Sequence, residues 1–198
     1  MPFRAIHFSP NSPMRALLYA LCLTPLSLFA QDPHAGQKVK WTTLEEAQRA
    51  AKADGKPLLI DVYTQWCGPC KMLSSGTFMD DQTAAYINAH YHPVKFDAEG
   101  KDPVIFNGKE YKNPSWNPSA GIRNSTHELT MAIAATERGI AYPTVVYMNK
   151  DGQVLAPVQG YYTPEQLEPI LVYFGDGAYL KHEYPEFQQS FKSSRRPQ

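Results

Sequence analysis

Residues 57–70, "PLLIDVYTQWCGPC", constrain the fold more than any other stretch of the 198-residue chain. Pro57 to Tyr63 is a nearly continuous apolar run, which suits a strand buried on both faces, as in a parallel sheet. Cys67 and Cys70 come directly after it, where a helix should begin. Two cysteines at this spacing can hold a metal, staple a loop or exchange electrons, and their surroundings decide which.

The flanking pattern alternates helix and strand. Lys38 to Trp41 reads as a short edge strand. Thr43 and Glu46 form a capping box for a helix that Gly55 stops. A helix covers Gly68 to about Leu73 and resumes after Asp80 or Asp81, and His92 to Asp97 is the next strand. Residues 98–124 are polar and rich in glycine, asparagine and proline, with a hairpin signal at Asn107-Gly108. Ser125, with Glu128 three residues on, caps a helix expected to run to about Arg138 and end at Gly139. "YPTVVYM" is a strand, Asp151-Gly152 turns the chain into another from Gln153 to Gly160, and Thr163-Pro164 opens a helix reaching about Phe174. The tail, 176–198, is expected to add a short amphipathic helix.

The chain has 19 basic and 19 acidic residues, so nothing predicts nucleic-acid binding through a basic face. The first 30 residues differ from the rest. Arg4 and Arg15 are their only charges, and Ala16 to Ala30 carries none, the pattern of a secretory signal. Cleavage is expected after Ala30, with Met14 an alternative start, leaving 31–198 as one domain. The cut removes Cys22, so Cys67 and Cys70 remain without a structural disulfide framework.

"LLIDVYTQWCGPCK" resembles the active-site segment of the thioredoxin-like family along its whole length, with Asp61 six residues before Cys67, Trp66 before it and Lys71 after Cys70. "TFMDDQTAAYINAHYHPVKFD" is similar to exported members related to thiol:disulfide interchange proteins. The resemblance implies an α/β thioredoxin fold: a central mixed β-sheet flanked by helices, with an insertion, about 98–124, between the third strand and the following helix. It implies catalytic roles for Cys67, Cys70 and Asp61, and substrate binding by Trp66, Gly68, Pro69, Tyr142 and Pro143. Cys67, at a helix N-terminus where N–H groups stabilise a thiolate, is the expected nucleophile and the more exposed of the pair. Cys70 resolves the mixed disulfide, and Asp61, buried in an apolar strand, accepts its proton. Gly68-Pro69 implies a reducing potential, about −270 mV in thioredoxin against about −120 mV for a strong oxidant. Pro143 is expected to be cis, with the Tyr142 backbone beside Cys67.

The resulting expectation is an exported reductase or isomerase of protein disulfides in the cell envelope. It needs no cofactor and no metal; its partners are disulfide-containing proteins and a membrane or soluble electron donor. Within the insertion, Tyr111, Trp116 and nearby asparagines are expected to touch the partner. The alternatives are a non-catalytic binding module on the same scaffold, a zinc site completed by His90 and His92, and, more remotely, a peroxide-reducing enzyme.

Overall fold

The computed structural model describes Met1 and residues 38–195. The expected leader and its cleavage site lie outside the described residues. In chain order the elements are α1 (Leu44–Asp54), β1 (Leu58–Tyr63), α2 (Gly68–Ser75), α3 (Asp81–His90), β2 (His92–Asp97), β3 (Val104–Phe106), β4 (Lys109–Tyr111), α4 (Glu128–Ala134), β5 (Thr144–Met148), β6 (Val154–Gln159), α5 (Pro164–Gly175) and α6 (Tyr184–Ser190). The main sheet runs β2-β1-β5-β6. β1 and β2 are parallel, while β5 is antiparallel to both β1 and β6, so the sheet is mixed.

The apolar run of β1 is used as its pattern requires. Leu58, Ile60 and Val62 join Val94, Val146 and Met148 in a layer covered by Leu44, Ala47 and Ala51 of α1 and by Leu129 and Ile133 of α4. Leu59 alternates onto the other face with Val145 and Tyr147, beneath Leu73, Ile87, Leu167 and Leu171. The sheet thus has a core on each side, and the chain leaving β1 must emerge at the sheet's edge. The capping box expected at Thr43/Glu46 forms, and a second one closes at Thr163/Gln166.

Two expected elements are shorter than the sequence suggests. Lys38 to Trp41 is no strand; only an isolated parallel bridge, Thr42 to Val94, forms. Thr42 N–H donates to Pro93 O at 2.9 Å. The rung before it would need an N–H from Pro93, which has none. Asn88 takes over, accepting from Lys40 N–H at 2.8 Å and donating to Lys38 O at 2.8 Å. The helix expected from Ser125 to Arg138 is confined to Glu128–Ala134, with His127 as its cap. Ser125 Oγ donates to Asn113 Oδ1 instead. At the far end Thr136 and Gly139 exchange backbone hydrogen bonds of 3.2 and 2.9 Å, and the Thr136 hydroxyl reinforces that turn, so the last helical turn is lost to it.

The polar segment after β2 is ordered by its own side chains. Asn107 (φ 48°) and Gly108 (φ 78°) form the hairpin turn between β3 and β4. Asn107 N–H donates to Gln48 Oε1 of α1 at 2.8 Å. Buried Asn113 donates to Gly100 O and Ser125 O, closing the segment on itself.

Candidate active site

Tyr63 ends β1, and after Thr64, Gln65 and Trp66 the chain reaches Cys67, the N-cap of α2. Gly68 and Pro69 occupy the first turn, where proline's fixed φ fits and its missing N–H costs nothing. Both are exposed, and a side chain on Gly68 would meet open space. Cys67 and Cys70 are joined by a disulfide, with Cα atoms 5.3 Å apart. Cys67 Sγ also accepts the Cys70 N–H at 3.1 Å, so a helix N-terminal donor already points at the sulfur that would carry charge. The expected difference in exposure between the two is not seen in this oxidised form: Cys67 is 3% and Cys70 2% exposed. Lys71 faces solvent.

β5 runs antiparallel to β1, with Thr144 opposite Val62, so the residues before β5 lie at the same sheet edge as the cysteines. The Tyr142–Pro143 peptide bond there is cis. The Tyr142 ring meets Trp66 edge-on, 5.9 Å between centroids. Trp66 is held from two further sides: its Nε1–H donates to Glu99 Oε2 at 3.0 Å, and the Arg123 guanidinium lies over the ring at 4.3 Å. Glu99 Oε2 also accepts the Asn124 N–H at 2.7 Å. Residues 123–124 of the polar segment therefore clamp the tryptophan next to Cys67.

Asp61 is 1% exposed, on the face of β1 turned toward Leu73 and α3. Burial pushes its carboxyl up to about 6, against the pull of the Lys95 charge. Lys95 is its register partner on β2 and brings Nζ to 3.3 Å from Asp61 Oδ2. The contact is an ion pair without hydrogen-bond geometry, and both carboxylate oxygens are buried without a hydrogen-bond partner. The ammonium is directed instead to Ser74 Oγ at 2.6 Å. Ser74 stands four residues after Cys70, on the same face of α2. The Asp61–Lys95–Ser74 line thus runs under the side of α2 that carries Cys70. A buried carboxyl held at about 6, with Oδ1 outside the Lys95 contact, is suited to taking up a proton.

Lys95, Glu99 and Arg123 were not singled out from the sequence. Lys95 had a signal: it is the fourth residue of β2, as Asp61 is of β1, so parallel pairing sets them side by side. Tyr111 lies against Phe106 and the layer beneath α1, away from the cysteines. His90 and His92 pair with Asp176 and Asp54, at 3.1 and 2.9 Å. His92 begins β2, whereas the cysteines follow the ends of the strands, about 20 Å away at ~3.3 Å per residue. The two pairs are not brought together, and among the described residues no cluster of metal-ligating side chains occurs.

The chain is 35% identical over 66 residues, 33% of its length, to the chloroplastic thioredoxin-like protein CITRX of Arabidopsis thaliana. It is 42% identical over 50 residues, 25% of its length, to the thiol:disulfide interchange protein DsbD of Ralstonia nicotianae. The aligned parts span only 34% and 8% of those proteins. In structure it resembles a DsbH oxidoreductase with a TM-score of 0.50 at 16% identity, over 73% of this chain and 90% of that one, a likeness of fold. The family model for the thioredoxin-like domain matches residues 44–175, from α1 through α5, and the chain, with Cys67 and Cys70 as its C-x-x-C pair, belongs to that family.

Proposed function

We propose that this protein is a thiol–disulfide oxidoreductase that reduces or isomerises protein disulfides through Cys67 and Cys70. The carrying observation is the Cys67–Cys70 disulfide at the start of α2, with a backbone N–H on the Cys67 sulfur. In the reduced state the Cys67 thiolate attacks one sulfur of a substrate disulfide, and the other leaves as a thiolate and is protonated. Cys70 gives its proton to Asp61 and attacks Cys67 Sγ. The Cys67–Cys70 bond forms, the second substrate sulfur leaves, and two electrons have passed to the substrate. A donor dithiol protein, soluble or membrane-bound, must return them. Trp66, Gly68, Pro69, Tyr142 and Pro143 form the surface on which the substrate chain lies, and the Gly68-Pro69 pair favours the reducing direction. Export to the cell envelope rests on residues 16–30 of the sequence, and residues 31–198 then form the working domain, with 98–124 its insertion.

The test is trapping. A Cys70→Ser variant expressed with its leader accumulates mixed disulfides through Cys67, and the pre-reduced parent reduces a model protein disulfide. If both thiols are intact and neither adducts nor reduction are found, the reading fails and a non-catalytic binding module takes its place.

A further inference from the structure

Close to Trp66, a cleft of about 90 Å³ opens between the end of β2 and the 113–124 loop. Gln65, Asp97, Glu99, Trp116, Ile122 and Asn124 line it. Gln65 is two residues from Cys67, and Glu99 is bonded to the indole next to that cysteine, so the cleft adjoins the disulfide. It has room for one extended side chain. We propose that it is a specificity subsite for the redox reaction, receiving a lysine or arginine side chain that flanks the cysteine of a substrate disulfide.

The argument is charge complementarity at a defined place. The donors that meet its two carboxylates are neutral. Asp97 accepts from Gln65 Nε2 at 3.2 Å and from Glu99 N–H at 3.0 Å. Glu99 accepts from Trp66 Nε1 and Asn124 N–H. Arg123, in the same loop, turns its guanidinium to the Trp66 face rather than to either carboxylate. The Tyr142 hydroxyl is pushed up mainly by burial, against a hydrogen bond with Thr126, and the Glu99 and Asp97 charges add to the shift. Trp116 supplies an aromatic wall, to which an ammonium or guanidinium binds through the ring quadrupole. Ile122 stands 67% exposed at the rim, where it can cover the aliphatic stem of such a side chain. An acidic side chain in the same place would be repelled by both carboxylates.

This rests on the proposed oxidoreductase activity, so the test has one arm independent of it. In the first arm, pre-reduced protein reduces two disulfide peptides, identical except for Lys or Glu beside the attacked cysteine. The Lys peptide is reduced at least about fivefold faster, the factor for roughly 1 kcal/mol of differential attraction. The ratio falls toward one in Asp97→Asn/Glu99→Gln, which removes both charges while each amide keeps one oxygen acceptor. In the parent it also falls between about 0.01 M and 1 M salt, as the Debye length shrinks from about 30 Å to about 3 Å. In the second arm, the Lys and Glu peptides with serine in place of cysteine are titrated against the oxidised protein, with Trp fluorescence as readout; tighter binding of the Lys peptide is expected. Equal rates, or a preference unaltered by the substitutions and by salt, overturn the subsite. If neither peptide is reduced, the oxidoreductase reading fails, and the binding arm alone decides the subsite: equal binding overturns it.

Discussion

Asp61 makes the protein's stability depend on pH in an unusual sense. Burial holds its carboxyl at about 6 in the folded chain, above the 3.8 ordinary for an aspartate. A folded value above the unfolded one means that the protonated form is the stabilising one. That stabilisation is complete below about pH 4 and is lost as pH rises through about 6, a change of about 3 kcal/mol. Asp61→Asn is therefore expected to raise the unfolding free energy of the oxidised protein at pH 8 by up to that amount, with parent and variant converging below pH 4; denaturant melts at the two pH values check it. Lys95→Met removes the counter-charge, so the Asp61 titration, followed by carboxyl carbon NMR, is expected to move upward from 6. The cysteines, the aspartate and the proline were legible in the sequence because a short motif carries them. Lys95, Glu99 and Arg123 were not, because what matters in them is which side chain they meet across the sheet edge, and linear spacing does not encode that for a loop residue such as Arg123.

Among the elements, α4 is fastened to the polar segment in part by a titratable side chain, His127. His127 Nδ1 accepts the Leu129 N–H at 3.1 Å, which leaves Nε2–H to donate to Asp102 O at 3.2 Å. Its backbone N–H holds Ala98 O at 2.8 Å. Burial pulls its pKa down from 6.5, so the neutral ring is the stabilising form. That contribution is complete above about pH 6.5 and is lost as pH falls below it. The protection factor of the Leu129 amide in hydrogen exchange is expected to drop on acidification, and His127→Asn, which caps without titrating, is expected to flatten the dependence. The helix opened by Thr43 and Glu46, the one opened by Thr163-Pro164 and the Asn-Gly hairpin could be read in advance, since their signals lie within four residues. The start and end of α4 could not: Ser125 looked like a cap but was taken by Asn113, and Thr136 closed a turn where a helix was expected to continue.

For the molecule as a whole, the end of the described chain acts as a strap that the tail's aromatic pattern did not announce. Arg195 reaches Asp80 at 2.7 Å, with both side chains largely buried, while Ser193 and Ser194 bond to Glu168 of α5. Burial pushes the Asp80 carboxyl up, but hydrogen bonds from Arg195 and Thr83 outweigh it and hold it at about 2. Arg195→Ala is expected to lower the unfolding free energy, because it removes the guanidinium that pairs with this carboxylate at 2.7 Å. The folded value is depressed, so the deficit is full above about pH 4 and fades as pH falls through 2, which thermal melts across that range would show. The rims of the sheet have a consequence of another kind. β2 turns the nitrogen of Pro93 outward, and on β6 Pro157, opposite Val146, turns its own nitrogen away from β5. A stray unfolded chain that tries to lengthen the sheet meets a missing rung on either flank, so the folded domain is a poor template for strand-by-strand aggregation.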